Sequence, residues 1–248
     1  METENNKSFH SEPSHRWVRV KFGGQVIADS KRTKLVWDYH HIPVYYFPLE
    51  DVSEEYLEPT GRSRDSRTSY NVKIRDQLAS NAAWSYTAPE ADRESIKDLI
   101  AFRWHKMDGW FEEEEEVFVH ARDPYQRVDT ILSSRHIQVL VDGVTVADTR
   151  RAVLLFETGL PTRYYIPTDD VQMDLLRKTD TQTSCPYKGI ASYWSVAIGD
   201  KEHKDIVWGY LEPISEIPKI KGLLSFYNAK LDIVVDDELE HKPQTAWS

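Results

Sequence analysis

The 248-residue chain has one cysteine, Cys185. A single thiol excludes an intramolecular disulfide and any multi-cysteine zinc site. Long hydrophobic runs are missing too. None approaches the ~18–20 apolar residues that a membrane-spanning helix needs, and no signal peptide opens the sequence, so a cytoplasmic location and no membrane partner are expected. Positive charge is scarce. With 31 Lys and Arg against 41 Asp and Glu, the net charge is −10, which argues against a nucleic-acid partner, since a phosphate backbone needs clustered cations. The one basic cluster, Arg62-Ser63-Arg64-Asp65-Ser66-Arg67, reads as a solvated loop. Glycine-rich phosphate loops of the Walker or Rossmann type are absent. So is a Gly-Ser motif followed by the paired aspartates that two-metal nucleotidyl transfer would use. His40 and His41 are adjacent, but strand neighbours point apart and no acid or thiol stands at ligand spacing. No metal and no cofactor is expected.

Aromatic residues are plentiful, with 8 Trp, 13 Tyr and 8 Phe. Each buried ring removes roughly 150–250 Å² from water, enough in sum for two modest cores. The chain also repeats itself. Gly24-Gln-Val-Ile-Ala28-Asp29-Ser30 recurs as Gly143-Val-Thr-Val-Ala147-Asp148-Thr149, 119 residues on. The same offset relates Tyr45-Tyr46-Phe47-Pro48 to Tyr164-Tyr165-Ile166-Pro167. Self-similarity at this period means two copies of one domain. The expected organisation is a disordered tail over residues 1–15, a first repeat over 16–119, an ordered linker strap over 120–135 and a second repeat over 136–248.

Within each copy, alternation of apolar and polar residues predicts hairpins across Gly23-Gly24 and Asp142-Gly143. Further strands are expected at 34–38, 44–47, 70–74, 153–157, 163–166 and 193–198. Short helices are expected at 51–57 and 170–176, with Asp51 and Asp170 at their N-termini, and at 90–99. In each Tyr-Tyr pair, one ring should face the core and the other outward. Trp194 and Trp208 read as core. Five consecutive glutamates, 112–116, read as solvated surface. The class is α+β and β-rich: two tandem copies of a small curved sheet or open barrel, with one or two short helices each.

The strings Phe156-Glu157-Thr158-Gly159-Leu160-Pro161-Thr162-Arg163-Tyr164-Tyr165 and Cys185-Pro186-Tyr187-Lys188-Gly189-Ile190-Ala191-Ser192-Tyr193-Trp194 closely resemble the domain of unknown function 427 family, sometimes labelled nucleotidyltransferase-like. The stretch from Glu112 through His136 resembles the joining segment of its two-copy members. The resemblance covers nearly the whole chain and implies a compact, strand-built, β-tent-like fold. β-tent relatives often bind zinc through paired Cys-x-x-Cys knuckles; this sequence has none, so zinc does not carry over. The transferase label finds no support in these residues.

Cys185-Pro186-Tyr187-Lys188-Gly189 reads as a tight turn, with Pro186 fixing its own φ and Gly189 free to adopt positive φ. It would hold a thiol and an ammonium at its two ends, and a nearby cation favours the nucleophilic thiolate. Cys185 then stands as a nucleophile with Lys188 as charge partner or anion clamp; alternatively it is a small buried hydrophobe. Glu157, whose counterpart is Asp38, is a general-base candidate or an acceptor for turn amides. Arg163 replaces Val44 and suits a carboxylate or phosphate, or an edge-strand salt bridge. Tyr165 and Tyr187 complete the candidate pocket. His120, Arg122, Tyr125 and Arg127 of the strap either pack along both domains or reach into a site at their junction. Aligning Tyr193 with Tyr70, an offset of 123, leaves the first copy without the Cys-Lys turn. This places the site in the second copy and leaves the first structural. Three functions stay open: a small polar or anionic ligand site, a cysteine-dependent transferase or hydrolase, and a non-catalytic scaffold in which the repeats pack as an intramolecular pseudo-dimer.

Overall fold

The structure, a computed structural model, describes residues 9–38, 42–64 and 66–244. The chain divides into two compact units, Met1–Asp123 and Pro124–Ser248. The first unit contains β1 (His10–Pro13), β2 (Val18–Phe22), β3 (Gln25–Ser30), β4 (Lys34–Trp37), β5 (Val44–Pro48), β6 (Leu57–Arg64), β7 (Arg67–Ile74), β8 (Gln77–Tyr86), β9 (Leu99–Phe102), β10 (Gly109–Glu112) and β11 (Glu115–Glu116). The second contains β12 (Val128–Leu132), β13 (Ile137–Val141), β14 (Val144–Thr149), β15 (Val153–Glu157), β16 (Arg163–Ile166), β17 (Leu176–Cys185), β18 (Gly189–Ile198), β19 (Lys201–Pro213), β20 (Leu224–Phe226), β21 (Asp232–Val235) and β22 (Glu238–Leu239).

Each unit pairs a seven-stranded antiparallel sheet with a four-stranded one, and neither closes into a barrel. The large sheets run β1-β4-β5-β9-β8-β7-β6 and β12-β15-β16-β20-β19-β18-β17. The small ones run β11-β10-β2-β3 and β14-β13-β21-β22. Period-2 burial in β2 turns Val18, Val20 and Phe22 inward, and β13 does the same with Ile137, Val139 and Val141. Both hairpins turn on two consecutive residues of positive φ, Gly23-Gly24 and Asp142-Gly143, which suits a type I′ turn.

Several expectations are corrected. Residues 10–13 are not tail but strand: β1 pairs with β4, an edge contact made by backbone amides that needs no apolar side chains. Likewise β12, within the strap, pairs with β15. The short helices are all 3₁₀ turns. Asp51 and Asp170 end such turns, at Leu49–Asp51 and Thr168–Asp170. Both rings of each Tyr-Tyr pair are buried, because both faces of the large sheet are covered. Tyr45 and Tyr164 join the main cores between the sheets. Tyr46 and Tyr165 join smaller clusters on the opposite face, where Ile96 or Ile220 of a 3₁₀ turn packs over them. Glu112 is 6% exposed: its carboxylate accepts a hydrogen bond from Tyr45 Oη at 2.8 Å and an ion pair from Arg16. No helix among the described residues is long and apolar enough to cross a membrane.

Sheet register also corrects the alignment of the copies. Tyr193 lies opposite Trp208, whereas Ser69 lies opposite the equivalent Trp84. Both strands carry a bulge at one place, after Tyr70 and after Trp194. The true offset is therefore 124, and Tyr70 matches Trp194. The added length lies at one hairpin tip. The first copy turns after the pair Arg64–Arg67, while the second continues past Thr183–Ala191 to Ser184–Ile190 and Cys185–Gly189.

Candidate functional site

The extended tip positions the chemistry. Cys185 and Gly189 close the ladder, and the amide of Lys188 donates to the Cys185 carbonyl at 3.3 Å. Gly189 has φ +101°, and a Cβ there would lie 3.1 Å from the Glu212 carbonyl oxygen. Only glycine fits so close to β19 in that conformation. The Ile214 amide donates to the Lys188 carbonyl at 3.3 Å, which pins the tip from the other side. Lys188 is thereby carried to the end of β15, where its ammonium pairs with the Glu157 carboxylate. Both side chains are largely buried, 13% and 7% exposed. Gln126 Nε2 donates to Glu157 Oε1 at 3.4 Å and to the Thr158 carbonyl at 3.2 Å.

Beside this pair lies a cavity of about 380 Å³, lined by Glu157, Arg163, Tyr165, Lys188, Trp208 and Tyr227 among others. Arg163 opens β16 and lies over the rings of Trp208 and Tyr227, 5.5 and 5.6 Å from their centroids. Its guanidinium donates to the neutral Asn228 side-chain carbonyl. Among the described residues no carboxylate is paired with it. Burial pulls the ionisation of Arg163 below its ordinary value, against the opposing pull of Tyr227, Tyr165 and Glu157. Trp208 Nε1 donates to Tyr165 Oη at 3.2 Å. Burial also pushes the Tyr165 and Tyr210 phenols far up, so they act as neutral walls at physiological pH. An unneutralised guanidinium, an internal ion pair and aromatic walls can bind a small anion that carries a flat apolar part.

Of the residues singled out in the sequence, the fold brings together Glu157, Arg163, Tyr165 and Lys188. Cys185 is half-buried at the hairpin tip, near enough to Tyr165 and Tyr210 to act on their ionisation, but it is not among the cavity-lining residues. Tyr187 is half-buried in the turn. The strap residues separate. His120 and Arg122 belong to the first unit, where His120 Nδ1 contacts the Ala121 carbonyl and Arg122 approaches Glu112 and Glu115. Tyr125 and Arg127 belong to the second. Tyr125 is exposed, Arg127 pairs with Asp129 at 2.9 Å, and neither lines the cavity. Trp208 is core, as expected, and also cavity wall. Sequence reasoning missed Tyr193, Tyr210 and Tyr227 as walls and Asn228 as the Arg163 partner.

The first unit is not bare. Asp38, Tyr46, Trp84 and Tyr86, at the positions of Glu157, Tyr165, Trp208 and Tyr210, line a counterpart hollow of about 240 Å³. What this copy lacks is the extended hairpin tip, while the concavity is kept. No cluster of three or more His, Cys, Asp or Glu converges among the described residues; His40 and His41 lie outside them.

A sequence profile described as a domain of unknown function (DUF427) matches residues 10–113 and again residues 129–237. No curated protein matches the chain. The two matched segments take up most of the chain and fall one in each structural unit, so the chain belongs to the DUF427 family as a tandem two-copy member.

Proposed function

We propose that the second unit binds a small, singly charged anion with a flat apolar portion. Its charged end would meet Arg163, and its body would lie against Trp208, Tyr193 and Tyr227. The observation that carries the reading is the Arg163 guanidinium. It is partly buried on two aromatic rings, bonded to a neutral amide and open to the cavity. A buried charge without an ionic partner is costly, and an anionic ligand relieves that cost. Lys188 is engaged by Glu157, so it supports the cavity wall and leaves Arg163 as the ligand's cation. A cytoplasmic setting belongs to the same reading, supported by the unpaired thiol.

Cysteine chemistry is the second reading, favoured by the position of Cys185 at the turn beside the cavity. One experiment separates the two. The full chain is melted with benzoate, phenylacetate and indole-3-acetate. A ligand at ~100 times its Kd adds roughly 2.7 kcal/mol of stability, and each kcal/mol raises Tm by about 2–4 °C in a protein of this size. Arg163→Gln should abolish the shift while Cys185→Ser keeps it. A shift unchanged in Arg163→Gln, or no shift from any member of the panel, overturns the proposal.

A further inference from the structure

The first unit's hollow keeps its aromatic frame but draws its cations from different positions. Val44 stands where the second unit has Arg163. Arg67 stands where it has Ala191, the two lying opposite Tyr86 and Tyr210 in the sheet. Arg103, just after β9, stands where it has Tyr227. Both arginines line the hollow. Both lie against one indole, with Arg67 Cζ 4.9 Å and Arg103 Cζ 5.5 Å from the Trp84 ring centroid. That ring is fixed in place, because its Nε1 donates to Tyr46 Oη at 2.8 Å.

The charge around this ring is unbalanced. The acid in the hollow, Asp38, is paired at 3.0 Å with Arg93, which is not a lining residue. Among the described residues neither Arg67 nor Arg103 has a carboxylate partner. Arg103 Nε donates to the Asn81 carbonyl at 2.9 Å, and Arg67 Nε is buried with no hydrogen-bond partner among the described residues. Among the described residues the two guanidiniums of this hollow therefore have no carboxylate of their own, in a chain whose net charge is −10. We propose that Arg67 and Arg103 form a second ligand site, specific for a small doubly charged oxyanion of phosphoryl or dicarboxylate chemistry. Two forked guanidiniums match two anionic oxygens bidentately. The smaller hollow and its aliphatic walls, Val36 and Val44, suit a compact dianion over the aromatic monoanion proposed for the second unit. The site does not depend on that proposal, because it uses no residue of the second unit.

Isothermal titration of the full chain with inorganic phosphate, and separately with malonate, at constant ionic strength in chloride tests it. Saturable binding of at least one titrant is expected, and which one binds separates the two sources. Arg67→Lys or Arg103→Lys should weaken binding by about tenfold or more, the worth of one charge-assisted hydrogen bond that a lysine cannot replace. Arg163→Gln should leave it unchanged. A readout without variants is phenylglyoxal modification of the wild-type protein, in which the bound anion should slow reaction at Arg67 and Arg103. The proposal is overturned if neither titrant binds, if both lysine variants bind like wild type, or if Arg163→Gln alone abolishes binding.

Discussion

At the residue scale, the Glu157–Lys188 pair shows how placement decides a role. From the sequence, Lys188 could serve Cys185 or clamp an anion, because a five-residue turn puts it near both possibilities. The fold gives its ammonium to Glu157 in a place where both side chains are mostly withdrawn from water. Breaking such a pair from one side leaves a buried charge alone, at a cost of roughly 3 kcal/mol or more. Glu157→Gln and Lys188→Met should each lower the unfolding free energy by about that amount, and the double variant should recover most of the loss. Urea denaturation of the four proteins completes the cycle. Additive losses would show that the two groups are not coupled. Arg67 and Glu112 mark where sequence reading stops at this scale. Both sit in charged runs that look solvated, yet Arg67 lines a hollow and Glu112 lies under Tyr45. Run composition reports average exposure, whereas strand direction decides which member turns inward.

At the scale of elements, strands and hairpins were legible because a half-buried strand writes its period into the sequence, as Val18, Val20 and Phe22 do. The 3₁₀ turns were not, since three residues are too few to show a helical period and an acidic start is shared by helices and turns. Register was misplaced by one residue for a related reason. Tyr193 and Trp194 are both large aromatics, so the sequence offers two matches for Tyr70, and only the cross-strand pairing with its bulge chooses between them. Each unit also repeats a clasp that the sequence hid. Thr149 Oγ1, at the end of β14, donates at 2.6 Å to Asp170, and Arg151 adds two bonds at 2.8 Å. Ser30 and Arg32 hold Asp51 in the same way, each at 2.6 Å. Arg151 and Thr149 hold the Asp170 carboxyl below the usual range. At Asp51 burial pushes upward, and the donors of Ser30 and Arg32 outweigh it. A depressed native pKa means that the unfolded chain takes up the proton first. The stabilisation is complete above the ordinary value of ~3.9 and is lost as pH falls through the native value. Asp170→Asn should therefore cost ~1 kcal/mol at neutral pH, with the gap to wild type closing in acid. Thermal melts across that range check it, and a gap that stays constant would assign the loss to packing alone.

At the scale of the whole molecule, duplication was the most legible feature, and its consequence is two complete small proteins on one chain. The first unit builds its apolar clusters from its own strands, with Val20, Phe47, Phe102 and Trp110 in the larger and Tyr46, Tyr86 and Ile96 in the smaller. The second does likewise with Ile137, Ile166, Val207 and Phe226 and with Tyr165, Trp208 and Ile220. Two-sided coverage of the large sheet is what creates a hollow in each, because the outer cluster covers only part of that face. The copies then differ in what lines the uncovered part: a lysine, an arginine and two extra tyrosines, Tyr193 and Tyr227, in one, two arginines on an indole in the other. A unit of this size with its own cores can fold alone. Residues 124–248, produced separately, should therefore melt cooperatively and keep the Arg163-dependent response to aromatic monoanions while losing all response to phosphate and malonate. The complementary fragment, residues 1–123, should show the reverse, with dianion binding that depends on Arg67 and Arg103. Calorimetry of the two fragments reads both properties at once. A fragment that folds yet binds the other unit's ligand would show that the lining residues do not set the specificity, and the charge-based division of labour between the copies would fall.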